Sequence, residues 1–213
     1  MAAPCPPMVG ATTELEQQAA RARLDFIDRS LTRTGRHARL WAWGWGVGIG
    51  VSGVASLAVV PFVSRADRVD WYTSAGSAAI GVFPFLFSPL AVAHDGPTLH
   101  AKLSADTSDA DVCPLLAEAE ALLIRDAENE RQQQAWYLHA GNLAFNTGVL
   151  LFLGLGFHHW ASGIINGAAG AAVGEAIIFT QPTQTIDALT AYRAGDLTSE
   201  RAPPLTLGYA TKF

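Results

Sequence analysis

Residues 136–157 read WYLHAGNLAFNTGVLLFLGLGF and contain no Asp, Glu, Lys or Arg. About 20 apolar residues in a helix cover the hydrocarbon core of a bilayer, because each residue advances the helix by about 1.5 Å. The apolar residues form a long run instead of recurring at the spacing of a single helix face, as they would on a soluble amphipathic helix. The stretch therefore predicts a transmembrane helix.

Three further runs have the same character, and Glu175 is the only Asp, Glu, Lys or Arg in any of the four. They cover residues 41–62, 72–93 and 161–180. Half of the whole chain is hydrophobic and only 15% is charged, which is unusual for a soluble domain. The alternative is a soluble protein with four buried helices, but such helices would show polar faces and seldom all reach spanning length. We expect an all-α integral membrane protein with four transmembrane helices.

All six tryptophans stand at the ends of these runs, where indole rings favour the boundary between lipid and water. They are Trp41, Trp43, Trp45, Trp71, Trp136 and Trp160.

The distribution of positive charge predicts the orientation. Lys and Arg number 12 in residues 1–40, 94–135 and 181–213, against only Arg65 and Arg68 in the loops on the opposite side. Because positive residues are retained in the cytoplasm, both termini are expected there. The N-terminal residues lack the pattern of a cleavable signal peptide. The Ala, Gly and Arg bias of the composition suggests a bacterial inner membrane protein.

The chain matches itself at offsets of 95 and 93 residues. Trp41 then pairs with Trp136 and Phe62 with Phe157 at the span ends, and Pro89 pairs with Pro182. We interpret the match as two parallel repeats, each a cytoplasmic helix followed by a two-span hairpin. The predicted organisation is a first repeat over 1–95 with an amphipathic helix at 13–33 and spans at 41–62 and 72–93, a second repeat over 96–182 with a helix at 111–135 and spans at 136–157 and 161–180, and a cytoplasmic tail over 183–213.

Apolar faces on the two cytoplasmic helices support this plan. The first helix places Leu24, Ile27 and Leu31 on one side, and the second places Leu115, Leu122 and Leu123 on one side. Arginines around the first helix would bind anionic lipid, or they would only fix the topology.

Glycines four residues apart allow close helix contact in lipid. They serve either a seam between subunits or packing within the bundle, and both readings stay open. The predicted packing positions are Gly44, Gly46, Gly48, Gly50, Gly163, Gly167, Gly170 and Gly174.

Polar residues in the second hairpin form a predicted intramembrane cluster of Glu175, Asn142, Asn146 and His139. The last three occur at i, i+3 and i+7 and so share a helix face, at a depth where Asn142 reaches Glu175 on the antiparallel span. An acid inside a membrane is by default a functional candidate that exchanges protons or ions. The alternative is a hydrogen-bonded lock between two helices.

Cysteine and histidine give weaker signals. Cys5 and Cys113 both fall on the predicted cytoplasmic side, so we expect free thiols. His158 and His159 are adjacent in the short loop HHW, but two histidines without a third ligand predict no metal site.

Function classes follow by elimination. The chain has no nucleophile, metalloprotease or phosphate-binding motif, which predicts no catalytic residues, no cofactor and no enzyme activity. The net charge of −5 argues against nucleic acid as a partner. We expect a non-enzymatic membrane protein with an assembly or interaction role. Its expected partners are the lipid bilayer and further copies of the same chain, and the sequence identifies no other protein partner. The alternative is a small oligomeric transporter or channel for ions or protons that uses the polar cluster.

Overall fold

The structure is a computed structural model that describes residues 14–87, 90–105 and 112–198. These residues are 88% helical and include no strand, which confirms the predicted all-α class. The elements in chain order are α1 (Glu14–Val59) with a 3-10 turn (Val60–Phe62), α2 (Arg68–Phe87), α3 (Val92–Ala105), α4 (Cys113–Gln132), α5 (Trp136–Phe157), α6 (Trp160–Thr180) and α7 (Gln184–Arg193).

Four helical stretches are long and apolar enough to cross a membrane, as predicted. Only 12% to 22% of their most apolar windows is buried within the chain. So many exposed apolar side chains are expected on helices that face lipid. A surface that faces water seldom carries them in one large patch. The four stretches are Glu16–Phe62, Arg68–Ala105, Cys113–Phe157 and Trp160–Arg193.

The chain divides into two compact units. We call the first the amphipathic unit, and its described residues are 14–38, 90–105, 112–132 and 182–198. We call the second the apolar unit, and its described residues are 39–87 and 133–181. Each predicted repeat contributes to both units, and the repeat itself stays a prediction.

The core of the amphipathic unit includes the first predicted helix face. Leu24, Ile27 and Leu31 are all buried. On α4 the buried face is rotated from the predicted one, because Leu115 and Leu122 are only half-buried. Its buried apolar residues are Leu116, Ala119, Leu123 and Ala127. These positions recur at three or four residues, the spacing of a helix that packs one side on a core.

Two glycines bring α1 and α3 together within the amphipathic unit. A Cβ at Gly35 would lie 2.5 Å from the carbonyl oxygen of Val92, and a Cβ at Gly96 would overlap the backbone of Leu31. Any larger residue at these positions would push the two backbones apart.

The predicted second span, 72–93, is wrong at its C-terminal end. The helix begins at Arg68 and ends at Phe87, while Val92 and Ala93 belong to α3 and are buried in the amphipathic unit. The sequence LAVA at 90–93 is apolar because it packs in that core, so hydrophobicity alone could not separate it from the span.

Other helix boundaries also differ from the predictions. The predicted helix at 13–33 and the predicted span at 41–62 are joined in the continuous helix Glu14–Val59, and Val60–Phe62 follow as a 3-10 turn. The predicted helix 111–135 is α4, which ends at Gln132, three residues before α5 begins at Trp136. Within the predicted tail, residues 184–193 form a helix, and residues 199–213 lie outside the described part of the chain.

Cys113 at the start of α4 is disulfide-bonded, so the expectation of a free thiol there is wrong. Cys5, the chain's only other cysteine, lies outside the described residues. The spacing of two cysteines 108 positions apart carried no signal for a disulfide.

The apolar unit is built around the α5–α6 hairpin. The connecting turn is very short: His158 adopts a left-handed conformation at φ 62° and its N–H donates to the carbonyl of Leu153. Helix α1 packs on α2, where a Cβ at Gly53 would lie 3.0 Å from that of Ala78. The indole N–H groups of Trp41 and Trp45 both donate to the hydroxyl of Thr180 at the end of α6.

Candidate functional site

The structure brings together the four residues of the predicted intramembrane cluster. Glu175 on α6 places one carboxylate oxygen 2.6 Å from Nδ1 of His139, and the other accepts the side-chain N–H of Asn142 at 3.0 Å. The side chains of His139 and Glu175 are each about a quarter exposed. The carboxylate is therefore paired and hydrogen-bonded by the facing helix.

Asn146 completes the cluster on the buried side. Its amide donates to the side-chain oxygen of Asn142 at 2.8 Å and to the backbone carbonyl of the same residue at 2.9 Å. Asn142 also donates to the carbonyl of Ala171 on α6. The amides thus form a directed chain from Asn146 through Asn142 to Glu175.

The four predicted packing glycines of α6 lie against α5. A Cβ at Gly163 would lie 2.7 Å from the carbonyl oxygen of Leu150, and one at Gly167 would lie 2.9 Å from that of Asn146. At Gly170 and Gly174 a Cβ would overlap the side chains of Asn146 and Asn142. These glycines pack within the hairpin and provide the space that the asparagines occupy.

The predicted packing glycines of α1 behave differently. Gly46 faces Phe85 of α2, with its Cβ position 3.6 Å from the phenylalanine Cβ. Among the described residues, no atom of another helix lies within 4 Å of a Cβ at Gly44, Gly48 or Gly50. These three glycines are on an open surface of α1.

A second polar network, absent from our sequence predictions, joins α2 to the second hairpin. Asp70 in the first turn of α2 accepts a hydrogen bond from Ser162 at 2.7 Å and lies 2.8 Å from Nδ1 of His159. One turn further along, Ser74 donates to Asn166 at 2.6 Å. The only sequence signal was the predicted position of these residues at the same end of their spans.

Asp67 adds a further carboxylate to this network. One ligand atom each from Asp67, Asp70 and His159 lies within 4.8 Å of the others. Asp67 is exposed, and its carboxylate accepts the hydroxyl of Ser64 at 2.8 Å. We refer to Asp67, Asp70 and His159 as the loop triad.

The amphipathic unit contains two fully buried acids on α4. Burial raises the pKa of Glu130 to about 7, against the lowering effect of hydrogen bonds from Thr185 and Ile186. Burial, followed by the effect of the neighbouring Asp95 carboxylate, raises the pKa of Asp126 to about 8. The sequence did not reveal these raised pKa values, because it does not show which side of α4 is buried.

A third cluster of the amphipathic unit is structural in character. Arg23 pairs with Glu120, and both bind the hydroxyl of Tyr192 on α7. The ring of Phe26 stacks on that tyrosine at 6.2 Å. Burial and the Glu120 carboxylate raise the pKa of Tyr192 to about 12, so the phenol stays protonated.

An open apolar groove of about 330 Å³ runs over α2 and α5 in the apolar unit. Its lining offers a threonine hydroxyl but no acid, base or thiol. The lining residues are Thr73, Ala144, Phe145, Gly148, Val149 and Phe152.

Comparisons with protein families, with curated proteins and with solved structures found no match for this chain.

Proposed function

We propose that this chain is a non-enzymatic integral membrane protein that acts by assembly, through self-association of its transmembrane helices. The observation that carries the proposal is the open surface at Gly44, Gly48 and Gly50, where no other helix of the described chain approaches. Small residues on an exposed helix face allow two backbones to come close, and close packing is the main attraction between helices in lipid.

The contrast with the second hairpin supports this reading. There, Gly163 and Gly167 are already covered by α5. On α1, Gly44 and Gly48 have the same four-residue spacing and no such cover, whereas Gly46 faces Phe85. Exposed Trp43 and Val47 flank the open positions and would add contact area across a seam between two copies of α1.

In this proposal the four spanning helices are two parallel repeats in a bacterial inner membrane, and both termini lie in the cytoplasm. The amphipathic unit then presents its surface to cytoplasmic partners. The 12 to 2 asymmetry of positive residues supports the orientation.

The oligomeric mass in nanodiscs tests the assembly proposal. We compare the wild-type chain with Gly48→Leu on α1 and with Gly141→Leu on α5, a matched control because Gly141 is equally open. We expect a defined oligomer for wild type and Gly141→Leu, and a monomer for Gly48→Leu. A monomeric wild type, or equal behaviour of the two variants, would contradict the proposed seam. Gly167→Leu is unsuitable because it would disrupt the hairpin itself.

The pairing of His139 with Glu175 inside the second hairpin supports a second candidate function, a small oligomeric transporter or channel for protons or ions. Ionisable residues within spans commonly mark such pathways. Proteoliposomes with a pH-sensitive dye inside test this function by the rate of internal acidification after an external pH step. Under this alternative, Glu175→Gln abolishes the flux while the oligomeric mass is unchanged. Equal rates in vesicles with and without the protein would exclude proton transport.

A further inference from the structure

The loop triad draws its members from separate parts of the apolar unit. Asp67 precedes α2, Asp70 lies in the first turn of α2, and His159 is in the turn between α5 and α6. The sequence alone showed His158 and His159 with no third metal-binding residue beside them. The fold supplies two carboxylates to one of these histidines, within 4.8 Å.

We propose that Asp67, Asp70 and His159 bind a divalent transition-metal ion, with Zn²⁺ the best fit. Imidazole nitrogen suits Zn²⁺ and its neighbours in the first row, whereas Mg²⁺ and Ca²⁺ select sites made of oxygen alone. Two carboxylates and one imidazole also neutralise the ion's charge. Three protein ligands leave a fourth tetrahedral position open to water or to a ligand from solution.

Both carboxylates are held by residues outside the triad. Ser64 donates to one oxygen of Asp67 at 2.8 Å, and Ser162 donates to Oδ2 of Asp70 at 2.7 Å. Hydrogen bonds of this kind orient metal ligands and are a regular part of metal sites. The other oxygen of Asp70 is directed at Nδ1 of His159.

Metal binding needs only a small rearrangement. The 2.8 Å distance between Oδ1 of Asp70 and Nδ1 of His159 is that of a hydrogen bond, whose proton an ion would displace. Bonds of about 2.0–2.2 Å from each atom to a tetrahedral ion require a separation of about 3.4 Å, so the ion replaces that proton as the two side chains move apart slightly. Ser64 donates to Oδ2 of the exposed Asp67, so Oδ1 is the oxygen that would bind the ion.

Such a site would tie the loop before α2 to the turn of the second hairpin. Asp70 and His159 already connect these two segments through a hydrogen bond, and a coordinated ion would replace this bond with a stronger link. The proposal is independent of the assembly function, because none of its residues belongs to the glycine surface of α1.

The test is a Zn²⁺ titration of the full chain in nanodiscs, by calorimetry, after removal of any histidine tag and treatment with a chelator. We expect one Zn²⁺ per chain with micromolar affinity or tighter, and d–d absorption bands of a nitrogen–oxygen site when Co²⁺ replaces Zn²⁺. Asp67→Asn and His159→Gln should each weaken binding about tenfold or more. The control is His158→Gln, which removes the adjacent histidine and should bind as wild type.

Thermal unfolding without metal accompanies each variant. Asp67 is exposed, so Asp67→Asn is expected to unfold as wild type does, and it decides the result if His159→Gln fails to fold. The proposed site is supported if wild type binds one Zn²⁺ per chain and Asp67→Asn loses this binding. Absence of one-to-one binding in wild type, unchanged affinity in Asp67→Asn, or an equal loss in His158→Gln would overturn it.

Discussion

Glu130 on α4 holds the first turn of α7, with its Oε2 atom 3.0 Å from the backbone nitrogen of Thr185. The same oxygen accepts the N–H of Ile186 at 3.1 Å. Thr183, the N-cap residue, makes no side-chain capping bond, so Glu130 takes the place of a local cap. A residue more than 50 positions away in sequence therefore determines where α7 begins.

Stability should fall as pH rises, in part through Glu130. Burial raises its pKa from 4.5 to about 7, so the folded state retains a proton that the unfolded chain has released. The stabilisation is complete below about pH 4.5 and is lost as pH rises through about 7. The rise corresponds to about 3 kcal/mol. Thermal unfolding in detergent should give a higher Tm at pH 5.5 than at pH 8.5.

Glu130→Gln should reduce this pH dependence while keeping an acceptor for the α7 backbone. Glu128→Gln is the control, because Glu128 lies on the same helix and is more than half exposed. If both variants keep the wild-type difference in Tm between the two pH values, Glu130 is not the group responsible.

Asp126→Asn should stabilise the chain at alkaline pH. Asp126 is fully buried beside Arg125 and Asp95, and its pKa of about 8 means that ionisation is costly in the folded state. The pH dependence has the same direction as that of Glu130: stability is lost as pH rises from about 4 to about 8. The neutral amide removes this cost, and we expect a gain of about 1–3 kcal/mol at pH 8.5 and a smaller effect at pH 5.5. Urea unfolding at pH 8.5 and pH 5.5 measures the two changes in stability. A loss of stability in Asp126→Asn at pH 8.5 would contradict the raised pKa of Asp126.

Gly167→Ala should destabilise the second hairpin by about 1–3 kcal/mol, because the added Cβ would approach within 2.9 Å of the carbonyl oxygen of Asn146. Gly141→Ala adds the same methyl group to α5, where no other helix is near, and should be neutral or slightly stabilising. Thermal unfolding in one detergent compares the two. Equal losses would mean that the close approach of α5 and α6 is not maintained in the membrane protein as purified.

A double-mutant cycle measures the interaction of His139 with Glu175. His139→Leu and Glu175→Gln should show a coupling of about 0.5–2 kcal/mol, since polar contacts between transmembrane helices lie in that range. Ser74→Ala serves as the control partner, because Ser74 bonds to Asn166 and not to Glu175. Coupling as large with Ser74 as with His139 would indicate a general loss of packing.

Labelling of Cys113 tests the orientation of the chain. In a Cys5→Ser chain, Cys113 is the only thiol. The charge asymmetry predicts that α4 faces the cytoplasm, so a membrane-impermeant maleimide should label Cys113 only after the cells are permeabilised. Labelling of intact cells would reverse the orientation and place the Cys113 disulfide in an oxidising compartment.

Sequence reasoning succeeded where the signal is local. The bounds of α5 agree with the predicted span because a charge-free run between terminal aromatic residues is visible without any partner. The faces shared by His139, Asn142 and Asn146 also follow from helix periodicity alone. The contact with Glu175 needed only the further assumption that consecutive spans are antiparallel neighbours.

Features that depend on tertiary contacts escaped prediction. Helix α7 has no side-chain cap from its own N-cap residue, and the Glu130 carboxylate accepts the backbone N–H of its first turn instead. Helix α3 begins in apolar residues that extend the preceding span, and it contains Pro97, which locally indicates a break. The loop triad exists only because two hairpins meet, and no spacing within one segment encodes that contact.

The directed amide chain has a consequence for biogenesis. An isolated α6 would enter lipid with a bare Glu175 carboxylate, at a cost of about 2.5–3.5 kcal/mol if it lay at the centre of the bilayer. Its hydrogen-bond donors, His139 and Asn142, all belong to the preceding helix, and the turn between the two helices is too short to separate them. If the two helices enter lipid together as one hairpin, Glu175 meets its partners at once and this cost is avoided.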